Sequence, residues 1–168
     1  MMLPFDGVAD IAVNRVVVVK WLHVLSSTLL FGTGVGTAFY LFFISRTRDL
    51  HAIAVIATWV VVADWLFTAT TIVLQPLTGF WLAHLMGYPL HSRWIVWSSV
   101  LLAIAAACWL PVLWLQLRLR DVARTALAEG ETGVPPAYMR LLRAWTALGV
   151  PALIAFLAIF YLMVARPM

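Results

Sequence analysis

VVVVKWLHVLSSTLLFGTGVG, residues 16–36, opens an apolar run that continues to Ile44 and yet holds a lysine and a histidine three positions apart. As a helix rising about 1.5 Å per residue, such a run crosses a hydrocarbon core roughly 30 Å thick. Comparable runs recur, and the composition agrees. The 168 residues are 64% hydrophobic and 11% charged, with a mean hydropathy of +1.00, values outside the range of water-soluble domains. The expected fold is an all-α integral membrane protein, a single domain over 1–168 built as a four-transmembrane-helix bundle. The expected spans are 17–44, 52–75, 94–117 and 144–164. Cys108 is the one cysteine, so no intrachain disulfide forms.

The net charge of +4 follows the topology. Arg46, Arg48, Arg118, Arg120, Arg124, Arg140 and Arg143 fall in loops 45–51 and 118–143, whereas Arg15, Lys20, Arg93 and Arg166 fall on the other side. By the positive-inside rule both loops are expected in the cytoplasm and both termini outside. Arginines flanking apolar runs form no compact basic face, which argues against a nucleic-acid partner. The N-terminal MMLPFDGVADIAVNR lacks the basic region of a signal peptide and is expected to be retained. Phe5, Val8, Ile11 and Ala12 recur at helical spacing and suggest a short interfacial helix, with Asp6 as a possible cap.

The second run continues apolar beyond Gln75 and Pro76, so the helix is expected to be kinked or broken at Pro76, with 77–86 lying along the interface. Loop 118–143 is expected to prolong the third helix, stop near Gly130 and restart after Pro135 and Pro136.

Polar side chains inside a bilayer are costly and often mark function. Lys20, His23, Ser27, Gly34 and Ala38 share one helical face. Lys20 is shallow enough to snorkel. His23 is deeper, and its options are an internal hydrogen bond or a metal. Asp64, Thr68, Thr71 and Gln75 share a face of the second span, and Asp64 is the one acidic residue in any span. Antiparallel packing of the first two spans would set His23 level with Thr68 and Asp64 about one turn deeper, where an aspartate could orient a ligand histidine or clamp two helices. Gly32 and Gly36 form a GxxxG, whose default meaning is close helix packing. Pro111 and Pro151 are expected to bend their helices. HExxH, CxxC, P-loop, dinucleotide-binding and nucleophile-elbow motifs are absent from the sequence, which makes soluble-type chemistry an unsuitable reading.

KWLHVLSSTLLFGTGVGTAFYLF, ADWLFTATTIVLQPLTG, CWLPVLWLQLRLRD and RAWTALGVPALIAFLAIFYLMV resemble, in order, the bacterial "predicted integral membrane protein" family numbered two-two-six-nine among domains of unknown function. More distantly, KWLH followed by small residues is similar to the first helix of HemJ-type protoporphyrinogen oxidases and CopD-like membrane proteins. That resemblance implies haem b in a four-helix bundle of the bacterial inner membrane, with His23 as iron ligand. A face of small residues such as Gly34 would then seat the macrocycle, with Ser27, Asp64 and Thr68 as further candidate cofactor contacts. The reading it supports is a haem b redox protein handling electrons from a quinol, a porphyrinogen or a membrane or cytoplasmic redox partner. Two alternatives remain open. One is a non-enzymatic subunit or scaffold that docks a cytoplasmic partner or anionic lipid through its arginine-rich third loop. The other is an ion-handling protein that uses Asp64 and assembles as a homo-oligomer.

Overall fold

A computed structural model describes residues 6–167, with the side chains of 6–12 left aside. Phe5 and the side chains of Asp6, Val8, Ile11 and Ala12, assigned above to an interfacial helix, thus lie outside the described residues. The architecture is all-helical. Helix α1 is Asp6–Thr47, α2 is Leu50–Ala63, a π-helical turn is Asp64–Thr68, α3 is Ala69–Leu85, α4 is Arg93–Ala128 and α5 is Pro136–Ala165. Four continuous helical stretches among the described residues are long and apolar enough to cross a membrane, the second of them Leu50–Leu85. Their alternation sets both chain ends at one end of the bundle, the terminal end, and the arginine-bearing connections at the other, the arginine end.

Local chemistry explains the helix ends. Asp49 caps α2 by accepting from the Ala52 backbone N–H at 3.0 Å. Helices α3 and α4 both close on a glycine in the left-handed region, Gly87 at φ 72° and Gly130 at φ 74°. Behind each glycine the chain folds back, with Tyr88 N–H donating to Ala83 O at 2.9 Å and Glu131 N–H to Ala126 O at 3.0 Å. The stop near Gly130 and the restart at Pro136 agree with the sequence.

The second span differs from expectation. It does not end at Pro76, which lies inside α3, and residues 77–85 continue the helix. Side chains on both sides of the proline bond to α1, as described below, and hold the chain helical where one backbone bond is missing. The irregularity sits earlier, where Ala69 N–H donates to Asp64 O, five residues back. Pro111 and Pro151 likewise lie inside α4 and α5.

The apolar core fills the arginine half. Leu41, Ile53, Ala57, Leu115, Leu119, Ala123, Tyr138 and Leu142 are buried there, where α2 meets α4 and α4 meets α5. Lipid competes for apolar contacts as well as protein does, so small residues that admit close backbones matter most, here Ala54, Ala57, Ala123 and Ala126. One polar pair joins this core. Ser45 Oγ donates to Leu41 O at 2.6 Å, so Tyr138 Oη–H donates to Ser45 Oγ at 2.7 Å. At the terminal end, Arg166 Nη1 donates to Tyr88 Oη at 2.6 Å and stacks over Tyr88 and Trp94, fastening α5 to the α3–α4 connection.

Tyr138→Phe removes the donor to Ser45 without changing shape. We expect a loss of about 1 kcal/mol, read as a thermal midpoint lower by about 2–4 °C in detergent. An unchanged midpoint would show that the pair contributes nothing.

Candidate functional site

Helix α1 turns Val19, Ser26, Leu30, Leu41 and Ser45 inward, a spacing of seven, four, eleven and four that lies on one helical face. His23 sits on its edge, half-buried against α3. Its Nδ1 is 2.8 Å from Thr78 Oγ1. The Thr78 hydroxyl hydrogen is committed to Leu74 O at 2.6 Å, so Thr78 accepts from His23 Nδ1–H. This count assigns the neutral imidazole its tautomer: the proton is on Nδ1, and Nε2 keeps a lone pair. Beneath the ring lies Gly79, where a Cβ would stand 3.2 Å from His23 Cε1. Glycine is what lets the imidazole lie against the α3 backbone.

One turn before Thr78, Gln75 reaches across to α1. Its Nε2 donates to Ser26 Oγ at 2.6 Å and to His23 O at 3.0 Å. Ser26 in turn donates to His23 O at 3.1 Å. Gln75, Thr78 and Gly79 thus hold His23 from its backbone carbonyl to its ring.

The structure divides the expected site residues. His23 pairs with Thr78, level with Gln75 and not with Thr68. Asp64 lies eleven residues before Gln75 (64 to 75), about 16 Å along a helix, too far to orient His23. Asp64 is 3% exposed, accepts from Thr68 Oγ1 at 2.9 Å and faces the Gln116 side chain of α4. Ser27 bonds its own helix at Val24 O, and Ser26 does the work expected of it. Gly34 has no heavy atom within 4 Å of where a Cβ would stand, nor do Gly32 and Gly36 on the opposite face of α1, so no neighbouring helix packs closely on these glycines. Lys20 is exposed, in keeping with snorkelling, and so are His51, His84 and His91. The sequence reading missed Ser26, Thr78, Gly79 and Gln116. Thr78 and Gly79 continue the spacing of Thr71 and Gln75, a signal interrupted by the expected stop at Pro76.

Among the described residues no three His, Cys, Asp or Glu side chains converge. A macrocycle that brings its own equatorial nitrogens asks for one axial donor. His23 fits that demand through Nε2, with its other nitrogen fixed by Thr78.

The clamp is testable through a double-mutant cycle of Gln75→Leu and Ser26→Ala. We expect a coupling of about 0.5–2 kcal/mol in detergent unfolding, the range for hydrogen bonds between membrane helices. Strict additivity would mean that the 2.6 Å bond carries no weight.

No curated protein matches the chain, and no solved structure does. A family model does match over residues 17–167, from the start of the first span to past the end of the last. The chain therefore belongs to the family described as predicted integral membrane protein (DUF2269).

Proposed function

We propose that this integral membrane protein is a haem b-binding redox protein of the bacterial inner membrane, with both termini on the outer side and the arginine end in the cytoplasm. The seven arginines of the loops against four basic residues opposite support that orientation. The observation that carries the haem reading is the Nδ1–H to Thr78 bond, because it leaves Nε2 unprotonated on a histidine set in a membrane helix. Haem, when bound, supplies a one-electron couple at the iron. His23 would hold the iron axially, Thr78 would fix the ring and keep Nε2 basic, and Gly79 would let the ring seat on α3. The open apolar surface of the helices faces lipid, the phase from which a quinol or a membrane redox partner would approach.

A second reading, a subunit docking a cytoplasmic partner, is favoured by a cleft of about 310 Å³ at the arginine end, lined by Arg118, Asp121, Thr125, Glu129, Glu131 and Pro135.

Absorption spectra of the detergent-purified protein decide between them. We expect a Soret band that is lost in His23→Ala, and that shifts in Thr78→Val, where the imidazole loses its partner. Protein that stays colourless after expression with ample haem supply would sink the haem reading and leave the docking one. A band retained in His23→Ala would remove His23 as the ligand.

A further inference from the structure

Below His23 the polar groups do not stop. Thr78, Gln75, Thr71 and Thr68 follow one another at steps of three or four along α3 and the π turn, and end at Asp64. Thr68, Thr71 and Thr78 are each at most 6% exposed, so the seam is enclosed by protein and not turned to lipid. At the terminal end it is continued by Ser26 and His23 and opens near exposed Lys20. Toward the arginine end it stops abruptly: Val61, Val60, Ala57 and Ile53, the next inward-facing residues, are all apolar and buried. A polar file that runs from near one end of the bundle to a buried carboxyl, with apolar residues beyond it, is the order of residues that a half-channel needs.

Its blind end holds a second, independent sign. Gln116 of α4, 3% exposed, faces Asp64, and its Oε1 is buried with no hydrogen-bond partner. A buried acceptor without a donor is costly. A carboxylate oxygen of Asp64 receives the Thr68 hydroxyl, whereas the buried Gln116 Oε1 receives no donor. One proton on the carboxyl corrects this. The acid O–H would donate to Gln116 Oε1 and give that oxygen the donor it lacks. No other ionisable group supplies that proton directly. Tyr40 on α1, His51 on α2 and Arg118 on α4 are exposed, and half-buried Cys108 on α4 and His23 on α1 lie about two and three helical turns away.

We propose that the seam is a proton path from the terminal face to Asp64, and that Asp64 with Gln116 is a proton-binding site. The carboxylate takes up one proton, the site goes from a single negative charge to neutral, and the reverse step returns the proton by the same route. Threonine hydroxyls and the Gln75 amide line the file and hydrogen-bond the waters that carry it. The inference does not rest on the haem reading: the seam passes His23 and Thr78, but its proton site, Asp64 with Gln116, lies about three turns away and requires no cofactor.

Infrared spectroscopy of the full-length protein in nanodiscs tests it. A carboxylic-acid C=O stretching band is expected in the wild type, absent in Asp64→Asn and displaced in Asp64→Glu. On transfer to D₂O this band shifts as the acid exchanges. Thr71→Val, nearly isosteric within the seam, is expected to slow that shift by about tenfold or more, the effect of a barrier higher by about 1.4 kcal/mol. Ser45→Ala, which alters the polar pair on the sealed side, is expected to leave the rate unchanged. The proposal is overturned if neither Asp64 variant alters a carboxylic-acid band at any pH, if Thr71→Val exchanges as fast as wild type, or if Ser45→Ala slows exchange equally. The readout is the same with or without haem, so a colourless protein leaves this test intact.

Discussion

The bond from the Gln75 amide to Ser26 and to the His23 carbonyl sets the register of the first two spans. In lipid, apolar surface gives one sliding position little advantage over another, because acyl chains solvate each position equally well. A primary amide is different, since its N–H groups find no partner in hydrocarbon and every register but one strands them. With Gln75 fixed on Ser26, Thr78 falls opposite the His23 ring and Gly79 beneath it. The same register carries Asp64 three turns away and hands it to α4. The two ionisable residues that the sequence suggested as partners are thereby separated into two sites by one clamp.

The bundle then divides by depth. Its arginine half is an apolar core in which alanines allow close approach and Tyr138 is the largest fully buried side chain. Its terminal half buries serines and threonines, most of whose hydroxyls return their hydrogens to the preceding turn: Thr78 to Leu74 O at 2.6 Å and Thr71 to Phe67 O at 2.6 Å. A hydroxyl so committed costs little to bury and still offers lone pairs sideways. That is why Thr78 serves as an acceptor for an imidazole, and why a run of threonines is buried between two helices at little cost.

Much of this was legible in the sequence. Four spans, the stop at Gly130 and the restart at Pro136 follow from hydropathy, a glycine cap and a pair of prolines, all local signals. The face of α3 was legible as far as Gln75, because steps of three and four are geometry. What failed were choices that depend on a neighbour. Ser26 and Ser27 lie three and four residues after His23 and share its face equally well, and only the position of Gln75 selects Ser26. Pro76 reads as a helix stop in isolation, whereas cross-helix bonds on either side of it keep α3 going. Gln116, in LWLQLRL, sits two residues before an arginine and looks like the polar border of a span. Nothing local indicates that it faces a carboxyl from another helix.

The π turn at Asp64–Thr68 reconciles the two halves. One regular helix from Leu50 to Leu85 would present a single inward stripe to a single neighbour. The span instead needs its first part against α4, through Ile53, Ala57 and Val60, and its last part against α1, through Thr71, Gln75 and Thr78. Each residue of an α-helix advances about 100° around the axis, so one residue taken up in a wider turn rotates everything after it by roughly that angle. The turn therefore lets one span that packs on α1 throughout turn its first part toward α4 as well. It occurs at the one acidic residue in the spans, whose side chain, pointing along the line where the stripe shifts, can meet Thr68 on its own helix and Gln116 on α4 together. A regular helix would offer Asp64 one of those environments but not both. The backbone irregularity and the buried acid are thus a single feature, and the seam ends at Asp64 because there the second span, while still against α1, also meets α4.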